Sequence, residues 1–400
     1  MADGPDDIAI DYARGTLMSA RGEVTERTVN ASRVMARAFP DSYTTGLVTQ
    51  LLKHSGFFRD HAELRLPLIE EAVVAARQIK DTEPTWPGLV IEAIVTQARC
   101  LQTLGRSADA MRVFAELEQY RGLRSRLERF PPHKNHWDAW PTALAESSRH
   151  AEAVELWYEA LEYERALSYS AGLPWIVLEL TDALEVLGRF DEAVAVFSAH
   201  LVSKQSKYGP DLCSLVHLAR IHQAAGNPAA RAATLDEACA VLSTLPRHDE
   251  SGRPVRFMAA LNHFLVCSTR ADEPPRTDGE PGYSYGSYWW SPGLRPRFHA
   301  EAETLLAEAS ALPHGPDRVI RHRRATVRLA SEFLRHRPER LAEPFDEGVG
   351  LAEEALCGGS EAAPELLARA LLDRAQYRAT RQDFGGAATD FTAALDLIKH

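Results

Sequence analysis

The feature that most constrains this 400-residue chain is a pair of helical signals that recurs on either side of a tight turn. Leu187-Gly188-Arg-Phe190-Asp-Glu runs directly into Ala193-Val-Ala-Val-Phe197. The same frame returns where Leu104-Gly105 leads to Ala110 and Phe114, and where Ser148 leads to Ala153, Trp157, Ala160 and Leu161. It returns again where Phe384 leads to Ala387, Phe391, Ala394 and Leu395. Gly226 opens a looser copy, with Leu235 and Ala238 in the bulky and small slots but Arg231 where alanine is expected. Residues three and four apart share one helical face. A small residue there lets two helices approach, and a bulky one a turn later fills the space behind it. Gly105, Gly188 and Gly226 supply the left-handed backbone with which a helix ends and the chain reverses.

This frame resembles the signature of the tetratricopeptide repeat. The matched turns at 105, 148, 188 and 226 are 43, 40 and 38 residues apart, longer than the family's standard unit of about 34. The chain is therefore similar to the long-repeat, regulatory branch. The resemblance covers residues 87–245 and 362–398 well and the remainder by continuity of helical pattern. It implies an all-α fold, a right-handed superhelical solenoid of antiparallel helix hairpins.

Periodicity predicts helices over 6–20, 23–38, 42–57 and 61–80, then 87–104 with 107–120, 136–147 with 150–167, 173–187 with 190–205, and 211–225 with 228–244. Further helices are predicted at 255–270, 297–311, 317–336, 338–357, 362–381 and 384–398. Residues 1–82 thus read as degenerate N-terminal hairpins and 83–250 as repeats. Residues 251–312 read as a hairpin interrupted by a Pro/Gly-rich insertion at 272–296, and 313–400 as C-terminal hairpins. A long loop inside a compact repeat is usually functional or disordered. This one holds Tyr283, Tyr285, Tyr288, Trp289 and Trp290, aromatic residues that disordered segments lack. It is expected to fold onto the repeats, either plugging an apolar seam or presenting interface anchors. The amphipathic last helix has no polar cap after it, so a homodimer through the C-terminal hairpin, or a partner on it, is expected.

Forty-five Lys and Arg against 56 Asp and Glu leave a net charge of −11, which disfavours nucleic acid as a partner. Lysine is confined to six positions, so arginine supplies most cations; with abundant alanine, this is the composition of a GC-rich genome such as an actinobacterium's. Cys100, Cys213, Cys239, Cys267 and Cys357 are scattered and odd in number, against a disulfide framework or a zinc knuckle. The acidic stretch from Met1 to Asp7 does not open a secretory signal, and no run approaches the ~18 apolar residues of a membrane span. A cytoplasmic location without membrane contact is expected.

Few motifs point to chemistry. Gly282-Tyr283-Ser284-Tyr285-Gly286 matches G-x-S-x-G, but without the strand-to-helix setting that makes its serine a nucleophile. His133, His136 and Asp138 lack a second cluster to complete a metal site. No phosphate loop, H-E-x-x-H or dinucleotide fingerprint occurs, so no cofactor and no metal is expected. Arg321, Arg324, Arg328 and Arg335 share a helical face within an arginine-rich run that also holds Arg323. Such a stripe either docks an anion or pairs with acids on neighbouring helices, the second being the plainer reading. The cluster Arg121, Arg124, Arg126, Arg129 and Lys134 reads the same way.

In tetratricopeptide proteins the first helix of each hairpin lines a concave, peptide-binding surface. Carried onto the matched repeats, the resemblance places Glu92, Arg99 and Gln102 there, then Asn135 and Asp138, then Trp175, Glu179, Asp182 and Glu185. His217, Arg220 and Gln223 follow, and Asp373 and Gln376 come last. One branch of the family clamps a peptide carboxylate with Lys, Asn and Arg; the matching sites hold Val95, Arg99, Ala139, Trp175 and Glu179, so that clamp is absent. The expectation is a scaffold or regulatory adaptor that binds a protein or peptide and catalyses nothing. A sensor of a ligand or peptide acting in trans is the first alternative, and an enzyme with the aromatic insertion as its lid the second.

Overall fold

A computed structural model describes residues 6–120, 139–166, 173–203, 212–244, 261, 264–274, 294–334 and 336–399. All regular structure among these residues is helical. The chain divides into two compact units, one up to Leu144 and one from Ala145 onward.

The N-terminal unit holds α1 (Asp7–Ser19), α2 (Glu26–Ala38), α3 (Pro40–Ser55), α4 (Ala62–Ala76), α5 (Trp86–Thr103) and α6 (Ser107–Ala115), each packed on the next. The short α7 (Ala139–Glu146) spans the division. Thr25 starts α2 with a reciprocal cap: its hydroxyl accepts from Thr28 N, and Thr28 Oγ1 accepts from Thr25 N at 2.9 Å. That satisfies two backbone donors a helix start leaves open.

The C-terminal unit continues with α8 (His150–Ala166), α9 (Leu173–Val186), α10 (Phe190–Ser203), α11 (Leu212–Ala224) and α12 (Pro228–Thr244). After a helical stretch at 264–268 and a 3₁₀ turn at Arg270–Asp272 come α13 (Leu294–Ala311), α14 (Pro316–Phe333), α15 (Ala342–Cys357), α16 (Ala363–Thr380) and α17 (Phe384–Lys399). Where the described residues include them, boundaries fall within a few residues of those the periodicity predicts; the start of the helix expected at 255–270 lies outside the described residues. The exceptions are α4 and α6, which stop short, and residues 338–341, which form a 3₁₀ turn before α15.

The recurring turns share one chemistry. Gly105, Gly188 and Gly226 take φ of +71°, +71° and +70°. In each, the next residue's N–H reaches back five positions, as Arg189 to the Leu184 carbonyl at 2.9 Å. This closes orphan carbonyls at the helix end. Gln382 does the same without glycine, at φ +66°, with Asp383 N–H reaching the Arg378 carbonyl, and Ser148 also takes a positive φ, +60°. Each following helix buries its small and bulky slots: Ala110 and Phe114, Ala153 and Trp157, Ala193 and Phe197, Ala387 and Phe391 are all at most 1% exposed.

One feature departs from an open ribbon, in which each repeat touches only its neighbours. Helix α17 packs on α12, and α16 touches α11. Leu212, Leu235, Ala238 and Leu242 share a buried core with Leu367, Leu371, Phe391 and Leu395. The seam is edged by Lys399 with Asp236 at 2.8 Å and by Arg231 with Glu365 at 2.9 Å. The apolar face of α17 is covered within the chain, and no large hydrophobic of that helix is left exposed.

Candidate functional site

The helices of the C-terminal unit surround a cavity of about 400 Å³. Its wall comes mainly from the first helices of successive hairpins: α9 gives Glu185, α11 gives His217, Arg220 and Gln223, the stretch 264–268 gives Phe264, Cys267 and Ser268, α14 gives Arg323, and α16 gives Arg369, Leu372, Asp373 and Gln376. Arg231 enters from α12, and Arg270 from the 3₁₀ turn. Five arginines thus line the space with two carboxylates, Glu185 and Asp373.

Each arginine is set by acids, several of which stand behind the wall. Arg220 grips Glu185 with both terminal nitrogens, at 2.7 and 2.6 Å. Arg270 pairs with Asp182. Arg323 donates through Nε to Asp373 at 2.7 Å, through Nη1 to Asp272, and through Nη2 to Ser268 Oγ at 2.8 Å. Arg369 holds Glu365 through Nε at 2.9 Å and Asp272 through Nη1 at 3.2 Å. Asp182, Asp272 and Glu365 do not line the cavity; they fix the guanidinium groups that do. Charges this deeply placed persist only when paired and hydrogen-bonded.

These surroundings tune the acids in opposite directions. Burial pushes the Asp373 carboxyl above the usual carboxylate range, against the pull of Arg323. Burial acts the same way on Glu365, but hydrogen bonds and charge from Arg231, with Arg369 and Gln223, hold it below its ordinary value. Burial also pushes the Cys267 thiol far up, leaving it protonated and a poor nucleophile. His217 sits between two rings, 4.9 Å from Phe197 and 4.8 Å from Phe264, centroid to centroid.

Of the residues singled out by sequence, His217, Arg220, Gln223, Glu185, Asp373 and Gln376 meet at the cavity. Glu179 and Asp182 are buried on α9, and Trp175 is half-buried near the start of that helix. Glu92, Arg99 and Gln102 lie half-buried on α5 in the N-terminal unit. Asn135, Asp138, His133, His136, Ser284, Arg335 and the aromatic residues Tyr283, Tyr285, Tyr288, Trp289 and Trp290 lie outside the described residues. So does the cluster from Arg121 to Lys134.

The described arginines of the α14 stripe follow the plainer of the two readings, pairing with acids. Arg328 is fully buried between Glu273, at 2.8 Å, and Glu301, at 2.8 Å. Arg324 also pairs with Glu273, at 2.7 Å, and Arg321 with Glu308. The acids of neighbouring segments consume these cations, and Arg323, one position off the stripe, faces the cavity instead. Sequence reasoning missed Arg231, Arg270 and Arg369. The first had a visible signal, an arginine standing in an alanine slot.

Among the described residues no group of His, Cys, Asp and Glu could hold a metal ion, and no helix is long and apolar enough to cross a membrane. No disulfide joins the five cysteines.

No family model matches the chain. No curated protein matches it either. Among solved structures 32 chains match. One is the crystal structure of BtubC (BKLC) from P. vanneervenii, at 18% identity and a TM-score of 0.41, covering 60% of this chain and 96% of that one. A likeness of that size carries no argument about fold or function.

Proposed function

We propose that this protein is a tetratricopeptide-type binding protein, a right-handed superhelix that serves as an interaction scaffold or regulatory adaptor. The small-and-bulky register of its hairpins and their repeated glycine turns support the family reading. The observation that carries the function is the cavity itself, because its wall is built mainly by the first helices of successive hairpins and holds five arginines and two carboxylates where a core would be apolar. Peptide or protein segments are the partners such a surface takes. The reading assigns no reaction: both lining carboxylates are tied to arginines, and the cavity thiol is held protonated.

A photo-reactive amino acid at Gln223, in the cavity, and another at exposed Glu303 test this in the native host. Capture of a stoichiometric partner through position 223 but not 303 is the expected result. Equal capture at both, or none at 223, counts against the cavity as the binding surface.

The cavity volume also favours a second reading, a sensor that closes around a small ligand and acts on another chain, since about 300–1,000 Å³ suits small molecules. That reading requires a fall in the radius of gyration when ligand binds.

A further inference from the structure

We infer that the cavity binds an anionic ligand carrying a hydrogen-bond donor beside its charge, such as an acidic amino acid or an acidic peptide segment. This rests on the proposal that the cavity is the binding surface, and adds the chemistry of what it takes.

The wall is not a finished core. Arg220 spends both terminal nitrogens on Glu185, yet its buried Nε–H has no partner among the described residues. Arg369 spends Nε and Nη1 on Glu365 and Asp272, and its Nη2 makes no hydrogen bond among the described residues. Gln376, 2% exposed, gives its amide N–H to the Leu372 carbonyl at 3.2 Å and leaves Oε1 without a donor. Buried polar groups are almost always satisfied, so Arg220 Nε and Gln376 Oε1 call for an explanation, while Arg369, a quarter exposed, keeps Nη2 accessible to water and to a ligand alike. Two unspent arginine donors ask for an oxyanion, and an unspent amide oxygen asks for an N–H or O–H.

The exposed groups point the same way. Five arginines and two carboxylates line the cavity while Asp182, Asp272 and Glu365 balance the charge from behind it, so what a ligand meets is guanidinium N–H groups rather than a net positive field. Phe264 and Leu372 give that surface apolar ground, on which a charged hydrogen bond meets little competing water. Arg369 is the separable part. Without it, Asp272 keeps Arg323, and Glu365 keeps Arg231 and Gln223.

Calorimetric titration of the full chain tests the inference with sulfate, L-glutamate, the tripeptide Glu-Glu-Glu and the tripeptide Ala-Ala-Ala acetylated and amidated at its ends so that it carries no charge. Sulfate offers acceptors only, whereas the glutamate compounds add N–H donors. Saturable one-to-one binding of glutamate or Glu-Glu-Glu with Kd below about 1 mM is expected. The tighter of the two tells a free metabolite from a chain. R369Q should weaken every anion roughly 10–100-fold, the worth of a charged hydrogen bond. R369K should recover part of that, and R189Q, at an exposed pair with Glu192, should change nothing. Q376L should weaken the glutamate compounds and spare sulfate. Absence of anion binding overturns the inference, as does an R369Q titration matching R189Q in a folded protein. Should R369Q fail to fold, an unchanged glutamate titration in Q376L overturns it instead. Binding of Ala-Ala-Ala without Glu-Glu-Glu overturns the anion assignment while leaving the cavity a binding surface.

Discussion

Replacing Arg328 with methionine asks whether the arginines of α14 hold the fold or wait for a partner. The side chain has no exposed surface, it bonds Glu273 and Glu301, and its guanidinium lies 4.4 Å from the centre of the Phe298 ring. Methionine keeps much of the stem volume but removes the charge. Glu301, a third exposed, can turn to water at small cost. Glu273, only 12% exposed, is left with Arg324 alone. Removing one member of a buried pair costs about 3–5 kcal/mol. The remaining Arg324 contact argues for the lower end, ~3 kcal/mol, which for a unit this size lowers Tm by roughly 6–12 °C. Scanning calorimetry of the C-terminal transition measures this, with R321M as the comparison. Arg321 and Glu308 are both more than 40% exposed, so that change should cost at most about 1 kcal/mol. Adding E273Q to R328M should not return the loss, because Arg324, 11% exposed, then loses the acid it pairs with. The reasoning fails if R328M and R321M melt together.

Other outcomes follow from the packing and the charges. Trp157→Ala empties a bulky slot that is 1% exposed, and should cost about 3–5 kcal/mol in urea unfolding. Gly188→Ala forces a side chain into φ +71° and should destabilise by about 1–2 kcal/mol. Gly350→Ala, inside α15 with nothing within 4 Å of the added carbon, should instead stabilise by about 1 kcal/mol; opposite signs in thermal melts check the pair. Because the Glu365 carboxyl is held below its ordinary 4.5, its contribution is complete above that value and is lost as pH falls through the folded one. Wild-type protein should therefore be more stable than E365Q at pH 7, with the gap closing in acid; a gap constant from pH 7 to 3 would contradict the shift.

How much of this the sequence could reveal depends on the range over which each interaction acts. The turn glycines, the aromatic slots and the helix limits are written within a dozen residues, and Gly188, Phe197 and α10 are found where local spacing predicts them. The cavity residues on α11 were reachable by the same route, since His217, Arg220 and Gln223 share a face of one helix. What local spacing cannot show is which distant acid an arginine meets. Arg323 binds Asp272 and Asp373, about fifty residues away on either side. Glu365 reaches Arg231 across more than a hundred. For the same reason the sequence leaves two readings of the α14 arginines, and the fold shows which acids Arg324 and Arg328 meet. The return of α17 to α12 has no local signature either, because an amphipathic face looks the same whichever helix covers it.

That return sets a limit on how this protein can change its length. An array with loose ends can gain or lose a hairpin by duplication, since every new unit finds the same neighbour as the old one. Where α12 and α17 are fastened to each other, a hairpin added between them must also span the fastening. It would shear Arg231 from Glu365 and Lys399 from Asp236. The number of helices between those two is therefore tied to the geometry of that seam.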